Sequence, residues 1–151
     1  MAHTVQPLPF SKELDGISKK TVEIHHDKLY AGYVAKRNEV EEAIQQADAS
    51  KANQIYSAYR GLKEGETFAA NGMILHEVHF SNLGGNGDPA GTKILDAITI
   101  TWGSWDGFIA ALTATSMAAR GWAILAYDPS DEKLHLYAAD AQNQGGVWGC
   151  T

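Results

Sequence analysis

The chain has 151 residues, 44% of them hydrophobic, and a formal charge of −6, enough apolar material for one ordinary core or two small packed lobes. The acidic balance opposes binding to phosphate backbones, which calls for Lys and Arg clustered on one face, so nucleic acid is not an expected partner. The opening residues lack a basic stretch followed by an apolar one, no apolar run is long enough to span a bilayer, and the single cysteine, Cys150, cannot form an internal disulfide; the expectation is a protein of the reducing cytoplasm with no membrane partner.

Proline punctuation ends at Pro9, and Asp15-Gly16 marks a turn before Ser18, a helix cap for one long helix over residues 19–46. Ile24, Leu29, Tyr33 and Ala43-Ile44 recur at roughly helical intervals, opposite a polar face of Lys19, Lys36, Arg37, Glu39 and Glu42. Such a stripe packs against partner helices, expected over residues 51–62 and 66–83 with a break near Gly61. The run Gly84-Gly85-Asn86-Gly87-Asp88-Pro89-Ala90-Gly91 is the best internal boundary. It follows no strand and ends in no Lys-Ser/Thr, which argues against a phosphate-binding loop.

Helices are expected again over residues 92–100 and 104–118, the second capped by Ser104. The period then changes, and residues 122–127 and 133–137 read as strands joined by Asp128-Pro129-Ser130-Asp131-Glu132. The predicted class is α+β, a helical hairpin lobe over residues 1–84 followed by an α/β lobe with a small antiparallel sheet over residues 90–151. Two strands alone are marginal. Either the preceding helices cover the hairpin, or the sheet is incomplete at the C-terminus.

Of the six histidines, His25, His26, His76 and His79 fall within predicted helices of the first lobe. If those helices pack antiparallel, a side chain from each can converge on one ion, as in helix-bundle metal sites; alternatively the imidazoles cap carbonyls or face solvent. His76-Glu77-Val78-His79 is not the zinc protease motif, because its histidines are three apart rather than four. His25 and Tyr33, eight positions apart, lie roughly 80° apart around an ideal helix and can line one pocket.

These residues carry a family resemblance. Leu8-Pro9-Phe10, the run from Asp15 to Val34 with its His25-His26 pair and Tyr33, Asn71 through Gly85, Trp102-Gly103-Ser104-Trp105-Asp106-Gly107-Phe108 and Gly121-Trp122-Ala123 together resemble the iron/manganese superoxide dismutases in family order along nearly the whole chain. The resemblance implies an antioxidant oxidoreductase that converts superoxide to dioxygen and hydrogen peroxide at a redox-active manganese or iron ion, acting as a homodimer. It implies His25 and His76 as metal ligands and Tyr33 as the tyrosine gating the substrate channel. It also implies Lys28 as a cation at the channel mouth and Trp122 as an aromatic wall. A glutamine reaching the metal-bound solvent comes in this family either from the helix before the second histidine, commonly in iron enzymes, or from the loop after the second strand, commonly in manganese enzymes. The first position matches Gly72 and the loop holds Gln142 and Gln144, a lean towards manganese with Gln142 in that role.

The sequence departs from the pattern at Leu29, Leu75, Phe80 and Ile124, none of them a ligand position. The family's other two ligands come from an Asp-x-Trp-Glu-His motif after the second strand, and no such motif occurs in these residues. The expectation is a dismutase truncated relative to the family pattern, with two of four ligands present. An inactive truncated relative serving as a structural or interaction module is the alternative. A two-histidine, one-carboxylate iron site would need a carboxylate on the pocket face, and Glu77, next to His76, should point elsewhere.

Overall fold

The computed structural model describes residues 2–88, 91–146 and 148. Pro89, Cys150 and the expected lobe limits at residues 90 and 151 lie outside them. The chain divides into two units, the first running to Gly85 and also taking in Gly145, the second comprising Asn86–Gln144. The fold is α+β, a helical first unit and a second that pairs helices with a two-stranded antiparallel sheet.

In the first unit, Gly16 turns the chain at φ +80°. Ser18 then caps α1, Lys19–Ile24, its hydroxyl accepting the Thr21 N–H at 3.2 Å. A π turn, His25–Tyr30, leads directly into α2, Ala31–Gln46. The Ala31 N–H reaches the His26 carbonyl five residues back, which corrects the expectation of one uninterrupted α-helix over this span. The reason lies in the buried positions: Val22, His26, Tyr30 and Val34 are spaced by four. A repeat of four drifts about 40° per step around an ideal α-helix, and a wider turn absorbs part of that drift.

Two further expectations fail between residues 51 and 66. Ala49–Lys51 form a single 3-10 turn, and Asn53 then folds its side chain back to accept the Ile55 N–H at 2.8 Å, offering the backbone a non-helical partner just where a helix was expected. Beyond it α3, Ala58–Ser81, capped by Ser57, runs for 24 residues without a break at Gly61. A helical glycine costs only about 1 kcal/mol relative to alanine. Burial of Ala69, Ala70, Met73 and Phe80 along the same helix outweighs that. Helices α2 and α3 pack on a core of Tyr30, Val34, Met73 and Phe80, joined by Leu8 from the N-terminal arm.

In the second unit, α4, Thr92–Trp102, stops at left-handed Gly103, and α5, Trp105–Ala118, starts at its Ser104 cap. Strand β1, Trp122–Asp128, pairs antiparallel with β2, Lys133–Ala139, so that Leu125 faces Leu136 and Trp122 faces Ala139. Leu134 packs with Ile98 of α4 and Phe108 of α5. The two helices therefore cover the hairpin, the support that an isolated pair of strands requires. Among the described residues no helix is long and apolar enough to cross a membrane.

Candidate metal centre

The π turn brings His25 against α3. Its ring centroid lies 4.9 Å from that of His76, the planes crossing at 84°, and 5.2 Å from His79. Imidazoles from separate helical segments thus converge. Phe80 sits among them, 5.2 Å from His25, 5.4 Å from His26 and 5.4 Å from His79. Tyr33, on α2, lies 5.2 Å from His76 and directly over Gly72: a Cβ there would fall 2.4 Å from Tyr33 Cδ1.

His76 is 4% exposed, and its Nδ1 donates to the Gly72 carbonyl at 2.6 Å. That bond fixes the ring orientation and leaves the lone pair of the neutral imidazole on Nε2, the arrangement typical of metal-binding histidines. Burial is the main force holding His76 below the usual histidine pKa; the Gly72 carbonyl opposes it, and His25 and His79 add to it by repulsion. Burial likewise lowers His25, and burial with repulsion from His25 lowers His79. The neutral form that coordination requires is therefore the resident one near pH 7. Imidazole donors with one orienting hydrogen bond fit a first-row transition ion such as iron or manganese.

These lowered pKa values carry a sign. Unfolded, the imidazoles take up protons around their ordinary 6.5, while the folded protein resists doing so until lower pH, so the unfolded state binds more protons and acid favours it. The urea midpoint of metal-free protein is expected to hold above about pH 7 and to fall as pH drops through 6.5 towards the lower folded-state values. A midpoint that is flat across this window would show that burial does not hinder protonation.

Lys28 is exposed on the same π turn as His25. Trp122 opens β1, half-buried, and Gln142 lies half-buried in the turn after β2, both within the second unit. Gln144, the other loop glutamine, closes that turn locally, its Oε1 accepting the Asp140 and Ala141 N–H groups. Glu77 accepts from the Tyr30 hydroxyl at 2.8 Å. Burial first, with Glu77 adding and the Gln6 N–H opposing, pushes the Tyr30 phenol up to about 12, so it remains a donor.

Sequence reasoning named Phe80 only as a departure from the family pattern, and missed Tyr30 as a member of this cluster. Phe80 could have been found, being four residues from His76 and so on the same helix face. Tyr30 is five residues from His25, a spacing that aligns only in a π turn. Elsewhere, Asp128, Asp131 and His135 bring ligand atoms within 4.8 Å of one another at the β1–β2 turn. The hydrogen bond between His135 and Asp131 at 2.9 Å and the backbone donors Ser130 and Lys133 account for this group.

Comparison with known proteins bears on both units. Residues 2–84 match the family model for the alpha-hairpin domain of iron/manganese superoxide dismutases, and residues 89–151 match that for the C-terminal domain. The iron superoxide dismutases of Aquifex aeolicus and Aquifex pyrophilus are each 42% identical over 154 residues, covering 97% of this chain and 72% of the relative. A manganese superoxide dismutase of Haloferax volcanii is 30% identical over 153 residues, covering 99% of this chain and 75% of the relative.

Proposed function

Given that the chain belongs to the iron/manganese superoxide dismutase family, we propose that His25 and His76 are two ligands of its redox ion and that Tyr33 governs approach to it. The chain is a superoxide dismutase by family, and the metal is iron or manganese. The inactive-module alternative finds no favour in these matches. The observation that carries the assignment of ligands is the 4.9 Å approach of the two imidazoles from separate helical segments, together with the bond that orients His76.

An iron or manganese ion held there would supply a two-state electron relay, through which one superoxide could be oxidised to dioxygen and a second, taking up two protons, reduced to hydrogen peroxide. The protein's part is to hold donors, steer an anion and supply protons. His76, kept neutral by burial and aimed by Gly72, presents Nε2. Tyr33, with its hydroxyl able both to donate and to accept, is a suitable gate because its ring is wedged between Gly72 and His76. Lys28 offers an exposed positive charge on a chain of net charge −6, and a local cation of this kind raises the encounter rate for superoxide.

Manganese is the finer reading. Tyr33 occupies the space a side chain at residue 72 would need, which disfavours a glutamine from that position and supports Gln142 in the role. The parts assigned to Gln142 and Trp122 rest on family resemblance. A homodimer and a cytoplasmic setting complete the proposal; Ile24 and Leu29, 48% and 54% exposed, are apolar surface that an interface would cover, and one cysteine suits a reducing compartment.

The decisive experiment loads the purified protein separately with manganese and with iron, then measures bound metal per chain and the decay of superoxide by stopped flow. Turnover with metal bound is expected, faster with manganese. Metal content left unchanged by His25→Ala and by His76→Ala would overturn the assignment of His25 and His76.

A further inference from the structure

The N-terminal arm is tied to the π turn through both backbone polar groups of one residue. The Gln6 N–H donates to the Tyr30 hydroxyl at 2.9 Å, and the Gln6 carbonyl accepts from His26 Nε2 at 2.8 Å. Further out, the Asn38 side chain brackets His3 in the same manner, accepting its N–H at 2.8 Å and donating to its carbonyl at 2.9 Å. Leu8 then enters the core beside Tyr30 and Phe80. An extended segment held this way uses side chains where a strand would use a backbone ladder.

Tyr30 is the junction of three elements. Its backbone lies in the π turn that carries His25, and its hydroxyl, after accepting from Gln6, donates to Glu77 on α3 at 2.8 Å. Its ring is 1% exposed and stacks on His76 at 6.4 Å with planes 22° apart. A π turn replaces the tighter α-helical hydrogen bonds and is held less firmly by its own backbone. Something outside the helix must fix it if the imidazole it bears is to stay in register with α3.

We propose that Tyr30 is a positioning residue for the metal centre, its hydroxyl joining the N-terminal arm at Gln6 to Glu77 and so holding the π turn at the angle that sets His25 against His76. The inference rests on the reading of His25 and His76 as ligands. Tyr30 itself does not touch the reacting atoms. It acts through the helix geometry, and Glu77 is its partner on the opposite side of the pair. Glu77, next in sequence to His76, is then the anchor on α3.

The test uses Tyr30→Phe, which keeps the ring and its stacking but removes both hydrogen bonds of the hydroxyl. Two readouts separate positioning from mere stability. In the metal-free protein, NMR cross-peaks between the His25 and His76 rings are expected in the parent and to weaken severalfold in Tyr30→Phe under conditions where both are fully folded by urea titration. In Co(II) titrations followed by visible absorption, the variant is expected to bind about tenfold more weakly, at the low end of the roughly 10–100-fold cost of losing an outer-shell partner. Glu77→Gln, which retains an acceptor for the Tyr30 hydroxyl, should behave as the parent, whereas Glu77→Ala should resemble Tyr30→Phe. Parent-like cross-peaks and Co(II) affinity in a folded Tyr30→Phe would overturn the positioning role while leaving the ligand assignment standing. If instead His25→Ala and His76→Ala leave the Co(II) affinity of the parent unchanged, both that assignment and the positioning role fall.

Discussion

Replacement of His76 by glutamine is expected to abolish retention of iron or manganese and to lower the dismutation rate of the loaded protein by more than about a hundredfold. Loss of an outer partner of a ligand alone costs roughly 10–100-fold, and His76→Gln removes the donor itself. Glutamine is the informative replacement because its amide nitrogen can still donate to the Gly72 carbonyl, as Nδ1 does now at 2.6 Å, while its remaining atom is a poorer ligand for a redox ion than imidazole. The fold should survive, since the core of Tyr30, Val34, Met73 and Phe80 is untouched; circular dichroism and the urea midpoint check this. Metal content by elemental analysis and superoxide decay by stopped flow read the effect. A folded His76→Gln protein that keeps its metal and its turnover would remove His76 from the ligand set.

Gly72→Ala is expected to displace Tyr33 and to reduce dismutation about tenfold or more, as small misplacements of positioning groups do, an effect on the site larger than its effect on stability. Three ring atoms of Tyr33 lie 2.4, 2.7 and 2.8 Å from where the new Cβ would stand, closer than any real contact, so the ring must move. Two stability terms oppose each other. Alanine in a helix interior gains about 1 kcal/mol over glycine, and an extra methyl forced into a packed site costs about 1–3 kcal/mol. The net change should therefore be a loss of no more than about 2 kcal/mol, readable as a small drop in the urea midpoint. The site has no such compensation, because Tyr33 cannot keep its 5.2 Å approach to His76 once it swings away from Gly72. NMR cross-peaks between the Tyr33 and His76 rings, followed with the dismutation rate, give the answer. Disappearance of those cross-peaks at an unchanged rate would show that Tyr33 does not gate the site.

Much of the local architecture was legible because it is decided by neighbours in sequence. Ser18 and Ser104 cap helices through hydroxyls that reach N–H groups three residues on. The Asp128–Glu132 turn joins two strands whose alternating residues announce themselves. The expected break at Gly61 failed since a glycine penalty is small beside the burial that a long helix gains further along, at residues 69–80. The expected helix from residue 51 failed for a different reason, a competing side-chain acceptor at Asn53. The candidate ligands were reached by family resemblance, for spacing alone left surface or capping histidines open.

The sequence by itself determined the α+β class, the order of helices and strands in the second unit, the helix starts capped by Ser18 and Ser104 and, through its resemblance, the family. Only the tertiary structure decided the π turn, the placing of Phe80 among the imidazoles, the wedge of Tyr33 over Gly72 and the tie from Gln6 through Tyr30 to Glu77. The division follows the range of the forces. Caps and turns are satisfied within a few residues and leave a local trace. Contacts between residues 6, 30 and 77 depend on helices α2 and α3 packing together with the arm laid across them, and a one-residue widening of a helix leaves almost no mark on apolar periodicity.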